Sequence, residues 1–335
     1  MVDSFLLISF IAGIYLQLWQ VLHIQLLHLC GIVFASHNQT MKPLMQKNQI
    51  LFFALYLIIL GCEREPIHNS LNSSEDFKIT QLVDGALTER QFTVVWPDAQ
   101  NDSLKLPLVF GFHGAGGSAE QFIYNPTLDS LISNGDFIGI YPNGHSNAGN
   151  NGGYWNLGNE PTNANDVEFV NLIIDTLLNF SNINFEKVYA IGYSNGAGMV
   201  NLLGKQTDYF KAIAPLFSQQ LISTGNILKD STLSVFQLNG EIDDVIPLNG
   251  GNTDVGEFMS ASNSALNWAS NFNCDIVGIA TTDNWNNIII ESTLYGNCDN
   301  NHEVKKLVAI GQGHDIDYNL EPIMYNEIWN FFKNH

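Results

Sequence analysis

Apolar residues along this chain fall into two regimes. Before residue 62 they run together, over roughly 5–34 and again over 50–60. From residue 80 onward the runs shorten and alternate in type. Residues 92–96 (FTVVW), 106–112 (LPLVFGF), 137–141 (FIGIY) and 187–191 read as strands, as do 288–290 and 307–310. Residues 209–216 and 233–238 are further short apolar runs. Between them the spacing turns helical. Residues 167–180 place Phe169, Leu172, Ile173 and Leu177 on one face, and 197–204 opens as a helix. Residues 258–272 carry Leu266, Trp268 and Ala269 at helical spacing, and 322–332 form a last helix with proline in its first turn. Short β runs alternating with helices predict an α/β fold, a mostly parallel central sheet with helices on both faces. Sites in such folds form in loops at the carboxyl ends of the strands. The loop at 143–165 is Asn/Gly-rich and too long for a plain connection, which marks it as functional or mobile. There is no internal repeat.

Charge separates the two regimes further. The chain has 335 residues and a formal net charge of −20. Residues 1–62 hold one acid, Asp3, and two bases, Lys42 and Lys47, so the rest carries a net charge of −21. An acidic body excludes the basic face that nucleic-acid binding needs. The segment 5–34 is long enough to span a bilayer but is interrupted by Gln17, Gln20, His23, Gln25 and His28. Residues 1–40 read as an over-extended N-terminus ahead of Met41, with a membrane segment as the alternative. Residues 41–61 have a basic start, an apolar run and a small residue before Cys62, the parts of a secretory signal. Ile59-Leu60-Gly61-Cys62 resembles the bacterial lipobox, which implies acylation at Cys62 and membrane attachment through a lipid anchor. Residues 62–79 then read as a polar tether, and 80–335 as the folded domain. The expected location is extracytoplasmic, as a bacterial cell-envelope lipoprotein or a secreted protein. Export also bears on the cysteines. Beyond Cys30 and Cys62 only Cys274 and Cys298 remain. In an oxidising compartment that pair is expected to be a disulfide worth roughly 3 kcal/mol, with two buried thiols as the alternative.

The chemistry centres on Gly192-Tyr193-Ser194-Asn195-Gly196, a G-x-S-x-G pentapeptide. Such a pentapeptide arises by chance in roughly one chain in ten of this length. Its setting is more specific, because the strand at 187–191 precedes it and a small-residue helix start follows. That is the strand–turn–helix context of a nucleophile elbow. A serine hydroxyl needs a histidine base, and the histidine needs a carboxylate to fix its tautomer. The expected chain order is Ser, acid, His. After Ser194 only His302, His314 and His335 remain. His314 follows a strand in GQGHD and is the candidate base. The acid follows the run at 233–238, where Glu241, Asp243 and Asp244 compete; Asp243 is taken, with Asp244 the alternative. The oxyanion donors are expected at the backbone of Asn195 and in His113-Gly114-Ala115-Gly116-Gly117, at Ala115. His113 is expected to hold that loop and not to act as a base. Tyr154 and Trp155 form a sugar or aromatic platform, or serve as packing residues.

Taken together, HGAGGSAEQF, YPNG, NDVEF, VYAIGYSNGAGM, NGEIDDVIPLNGG and GQGHD resemble the polyhydroxybutyrate depolymerase-like esterases. These include the feruloyl and acetyl-xylan esterases of carbohydrate esterase family one, and the likeness covers about residues 90–335. The resemblance implies an α/β-hydrolase fold, Asp243 as the acid, and a Cys274–Cys298 disulfide. Two departures stand out: Asn239 replaces a histidine, and Asp315-Ile316-Asp317 replaces a Trp-Pro after the histidine. The implied activity is a secreted serine esterase acting through an acyl-enzyme, needing no metal or cofactor and no obligate protein partner. Its substrates would be feruloyl or acetyl esters of plant polysaccharide, or polyhydroxyalkanoate-type esters. The rival readings are a serine peptidase of the same fold and a non-catalytic glycan-binding surface lipoprotein.

Overall fold

The structure, a computed structural model, describes residues 72–98, 104–147 and 152–335. The segments read above as extension and signal, together with Cys62, lie outside the described residues. No helix among the described residues is long and apolar enough to cross a membrane.

Twelve strands are described. β1 (Ser73–Val83), β2 (Ala86–Trp96), β3 (Leu106–Phe112), β4 (Ile138–Pro142), β5 (Ile183–Tyr193), β6 (Ala212–Leu216) and β7 (Ser234–Gly240) are followed by a small hairpin, β8 (Gly251–Thr253) and β9 (Gly256–Phe258). β10 (Ile279–Trp285), β11 (Ile288–Tyr295) and β12 (Val304–Ala309) complete the set. The helices are α1 (Glu120–Ile123), α2 (Pro126–Ser133), α3 (Asp166–Leu177), α4 (Asn195–Gln206), α5 (Ile222–Gly225), α6 (Ala261–Asn271) and α7 (Glu321–Phe332).

Ten strands form one sheet in the order β1-β2-β4-β3-β5-β6-β7-β12-β11-β10. The six from β4 to β12 in that order run parallel, and an antiparallel pair flanks each side. Alternation along the strands splits the core in two. Leu108, Phe110, Val188 and Ala190 face α3, α4 and α6, where Phe169, Val200 and Trp268 are buried. Val109, Tyr189 and Ile191 face the other way, against Leu128 of α2 and Tyr325, Trp329 and Phe332 of α7. A period of two along buried parallel strands gives this two-sided core.

Three expectations need correcting. Residues 73–79 are not tether: they are the first half of β1, paired with β2 so that Phe77 lies opposite Phe92 with ring centroids 5.0 Å apart. The segment reads as polar because β1 is an edge strand with one solvated face. Residues 258–272 are not one helix. Phe258 ends β9, and α6 begins at Ala261, with the Ser260 hydroxyl accepting from Asn263 N–H as its cap. The run at 209–216 contributes only Ala212–Leu216 as strand. The expected disulfide joins Cys274, just past α6, to Cys298, just past β11.

The long loop at 143–165 is tied down at both ends by one buried ion pair. Arg90 on β2 meets Asp166, the first residue of α3, at 2.7 Å. Arg90 also donates to the Asn143 carbonyl at 3.2 Å, and the other Asp166 oxygen accepts from Asn156 N–H at 2.7 Å. Both charges are thus hydrogen-bonded as well as paired, which burial requires of them.

Candidate active site

Ser194 sits at the turn from β5 into α4, at φ 56° and ψ −117°. A non-glycine residue rarely adopts this conformation, and here the close approach of neighbouring backbones holds it. A Cβ on Gly192 would stand 2.2 Å from the Gly196 carbonyl oxygen, and one on Gly196 would stand 2.0 Å from the Phe112 carbonyl oxygen. Both positions therefore exclude every residue larger than glycine, which is the steric content of the pentapeptide. Ser194 N–H donates to the Leu216 carbonyl at 2.9 Å and pins the turn to the end of β6.

The structure brings Ser194, His314 and Asp243 together. Ser194 Oγ lies 2.8 Å from His314 Nε2, and His314 Nδ1 lies 2.8 Å from Asp243 Oδ2. With Nδ1–H donating to the carboxylate, Nε2 is left to accept the serine proton. Asp243 is buried, and its other oxygen accepts from Val245 and Ile246 N–H at 2.9 and 2.8 Å. Its competitors are accounted for. Asp244 is exposed, and the Glu241 carboxylate accepts from Gly311 N–H at 2.8 Å, bracing the acid loop against the histidine loop. Tyr193 braces the histidine from below by donating to the His314 carbonyl at 2.8 Å. Burial pushes that hydroxyl up to about 12, so it remains a donor.

The glycine-rich loop after β3 faces the serine. Gly114, Gly116 and Gly117 N–H donate to Gln121, Gly153 and Gly114. Ala115 N–H has no acceptor among the described residues, and Ala115 lines the cleft with Ser194 and Asn195. The side chain of Asn195 has its own work. Its Oδ1 accepts from Trp155 N–H at 2.8 Å, and its Nδ2 donates to the Trp155 carbonyl and to Glu160 at 3.1 and 3.0 Å.

Trp155 is therefore not a platform for substrate. It is fully buried, its indole N–H donates to the His113 carbonyl at 2.8 Å, and it packs edge-on against Phe112. Its bulk fixes the spacing of the loops at 113–117 and 143–165. Tyr154, its neighbour, does line the cleft.

His113 is fully buried behind the same loop. Its Nδ1–H donates to the Gly114 carbonyl at 2.8 Å, and its Nε2 accepts from Gly144 N–H at 2.9 Å. Only the neutral ring can do both. Burial pulls its pKa down to about 4. Between pH 6.5 and 4 the unfolded chain binds a proton here that the folded chain does not. The contribution is thus fully present above about pH 6.5, and acid removes about 3 kcal/mol of it by pH 4. Urea unfolding from pH 7 to 4.5 is expected to show a steeper loss in the parent than in His113→Gln; equal slopes would contradict the assignment.

Sequence patterns did not reveal the network behind the acid loop. Gln219, Gln237 and Asn239 are buried amides. Asn239 donates to Gln219 at 2.8 Å, Gln237 donates to Asn239 at 2.9 Å, and Ser264 donates to Gln237 at 2.7 Å. Gln219 in turn donates to the carbonyls of Pro247 and Met259, each at 3.0 Å, so it supports both the acid loop and the end of the β8–β9 hairpin. The departure at Asn239 belongs to this network. The available signal was Gln237 and Asn239 alternating with Phe236 and Leu238 along an otherwise apolar strand.

The cleft has a volume of about 180 Å³. Its apolar walls come from Leu157, Val245, Ile246, Val255 and Phe258, and two carboxylates, Glu160 and Asp254, line it with no basic side chain.

No family model matches the chain. Feruloyl esterase B of Piromyces equi is 26% identical over 234 residues, covering 67% of this chain and 42% of that protein. Feruloyl esterase C of Emericella nidulans is 28% identical over 203 residues, covering 58% of this chain and 70% of that protein. The chain thus spans less than half the length of the first relative. Among solved structures, the acetyl xylan esterase from Aspergillus awamori superposes with a TM-score of 0.53 at 16% identity, covering 78% of this chain and 100% of the other. The fold is that of an α/β hydrolase.

Proposed function

We propose that this protein is a serine carboxylic-ester hydrolase acting on feruloyl or acetyl esters of plant polysaccharide. The observation that carries the reading is the Ser194–His314–Asp243 chain of hydrogen bonds, whose serine lines an apolar cleft. Ser194 Oγ attacks the ester carbonyl while His314 Nε2 takes its proton. Asp243 holds the ring's tautomer and stabilises the imidazolium. The backbone N–H groups of Asn195 and Ala115 meet the oxyanion. His314 returns the proton to the leaving alcohol, and water repeats the cycle on the acyl-enzyme. The relatives named feruloyl esterase agree with this choice of substrate, and the disulfide suits an oxidising compartment. Export through the signal at 41–61 and anchoring at Cys62 complete the proposal.

The cleft also suggests a charge preference. Two carboxylates without a counter-charge disfavour an acyl group that carries its own negative charge. Repulsion near the surface over about 6 Å, reduced by solvent, disfavours such substrates roughly tenfold. In a series of aryl esters, feruloyl, acetyl and hydroxybutyryl compounds are expected to be turned over ahead of a hemisuccinyl one. Asp254→Asn is expected to narrow that gap. A hemisuccinate preferred over all neutral esters, or no ester turnover at all beside rapid peptide cleavage, would overturn the reading.

A further inference from the structure

Phe258, which lines the cleft, also lines a second, open groove of about 640 Å³ bordered by the outer face of α6. The groove is unusual in this acidic molecule because no Asp, Glu, Lys or Arg lines it. Its polar groups are amides and hydroxyls. Asn263, Asn267 and Asn271 follow at four-residue intervals along α6, so they form one row about 6 Å apart, and Asn249 lines the groove with them. Leu266 and Phe258 supply apolar surface between them.

Not all of the row is committed internally. Asn267 is fixed, its Nδ2 donating to the Gly225 carbonyl at 3.1 Å and its Oδ1 accepting from Lys205 at 2.9 Å. The Asn263 side chain is exposed and has no partner among the described residues, so its amide is available to a ligand. A primary amide offers two donors and an acceptor on a rigid plane, which suits adjacent hydroxyls of a sugar ring. An uncharged lining suits neither a charged peptide nor a nucleic acid.

We propose that this groove binds a stretch of neutral polysaccharide and holds it beside the catalytic cleft, the two sites sharing Phe258 as a wall. The inference rests on the esterase reading and deepens it, since the bound polymer is the one that bears the ester. No aromatic ring presents an open flat face in the groove. Affinity is then spread over several hydrogen bonds of about 1 kcal/mol each, and a polymer is held where a single sugar is not.

The test is affinity electrophoresis of the full chain carrying Ser194→Ala, in gels containing soluble xylan, glucomannan or polygalacturonate. Retardation by the neutral polymers and not by polygalacturonate is expected. Adding Asn249→Ala and Asn263→Ala, both on the groove's surface, is expected to weaken retardation roughly threefold to tenfold. With Ser194 intact, the same pair is expected to lower turnover of a polymer-linked ester relative to a small aryl ester. No retardation by either neutral polymer, or equal retardation with and without the two substitutions, would overturn the proposal. Aryl-ester turnover by the parent chain is read separately, so failure of the esterase reading and failure of the groove are distinguishable.

Discussion

Ser194→Ala is expected to lower kcat for an aryl ester by about 10⁵–10⁶-fold, with little change in the unfolding midpoint. The loss is large because no second nucleophile can take over. Ser218 also lines the cleft, but its hydroxyl donates to the Gln219 carbonyl and has no contact with His314. Losing the serine oxygen leaves His314 with nothing to deprotonate except water. The donors at Asn195 and Ala115 remain and account for residual catalysis. The fold is spared because the strained backbone at φ 56° is imposed by Gly192, Gly196 and the bond from Ser194 N–H to Leu216, none of which needs the hydroxyl. More than about 1% of parent activity would place the nucleophile elsewhere.

The second large effect distinguishes two adjacent acids. Asp243→Asn is expected to lower kcat about 10⁴-fold, whereas Asp244→Asn changes it by no more than a few fold. An amide at 243 can still accept from Val245 and Ile246 through its oxygen, so the loop keeps its shape. Its NH₂ then faces His314 Nδ1. That donor forces the ring proton onto Nε2, where it opposes proton transfer from Ser194. Asp244 is exposed and has no part in this chain of hydrogen bonds. A larger loss from Asp244→Asn than from Asp243→Asn would reverse the assignment. The pair is best compared in single-turnover acylation, which isolates the step that the tautomer controls.

Much of this architecture was legible in the sequence, for a physical reason. Buried parallel strands are apolar on both faces, so residues 106–112 and 137–141 stand out as short runs. The turn at 192–196 tolerates only glycine at two positions, so steric necessity writes it into the letters. The parts that were not legible are hidden either by a solvated face or by partners distant in sequence. β1 and β10 are edge strands with solvated faces, and their polar content hides them. Trp155 was ambiguous because an aromatic in a glycine-rich loop looks the same whether it faces solvent or a buried histidine. Gln219 gave no local sign, since its partners lie 20 to 40 residues away.

The sites of attachment of the three catalytic side chains also determine when activity can arise during folding. Ser194 follows β5, Asp243 follows β7 and His314 follows β12, and β12 fills the gap between β7 and β11. His314 is 120 residues from its serine and 71 from its aspartate. Contacts so distant in sequence form late, because the entropy of closing the intervening chain must be overcome before they contribute. A refolding chain can therefore acquire its helices, its first strands and even the strained serine turn while remaining inert. Hydrolysis begins only when the last central strand slots into place, and the onset of turnover times that docking event.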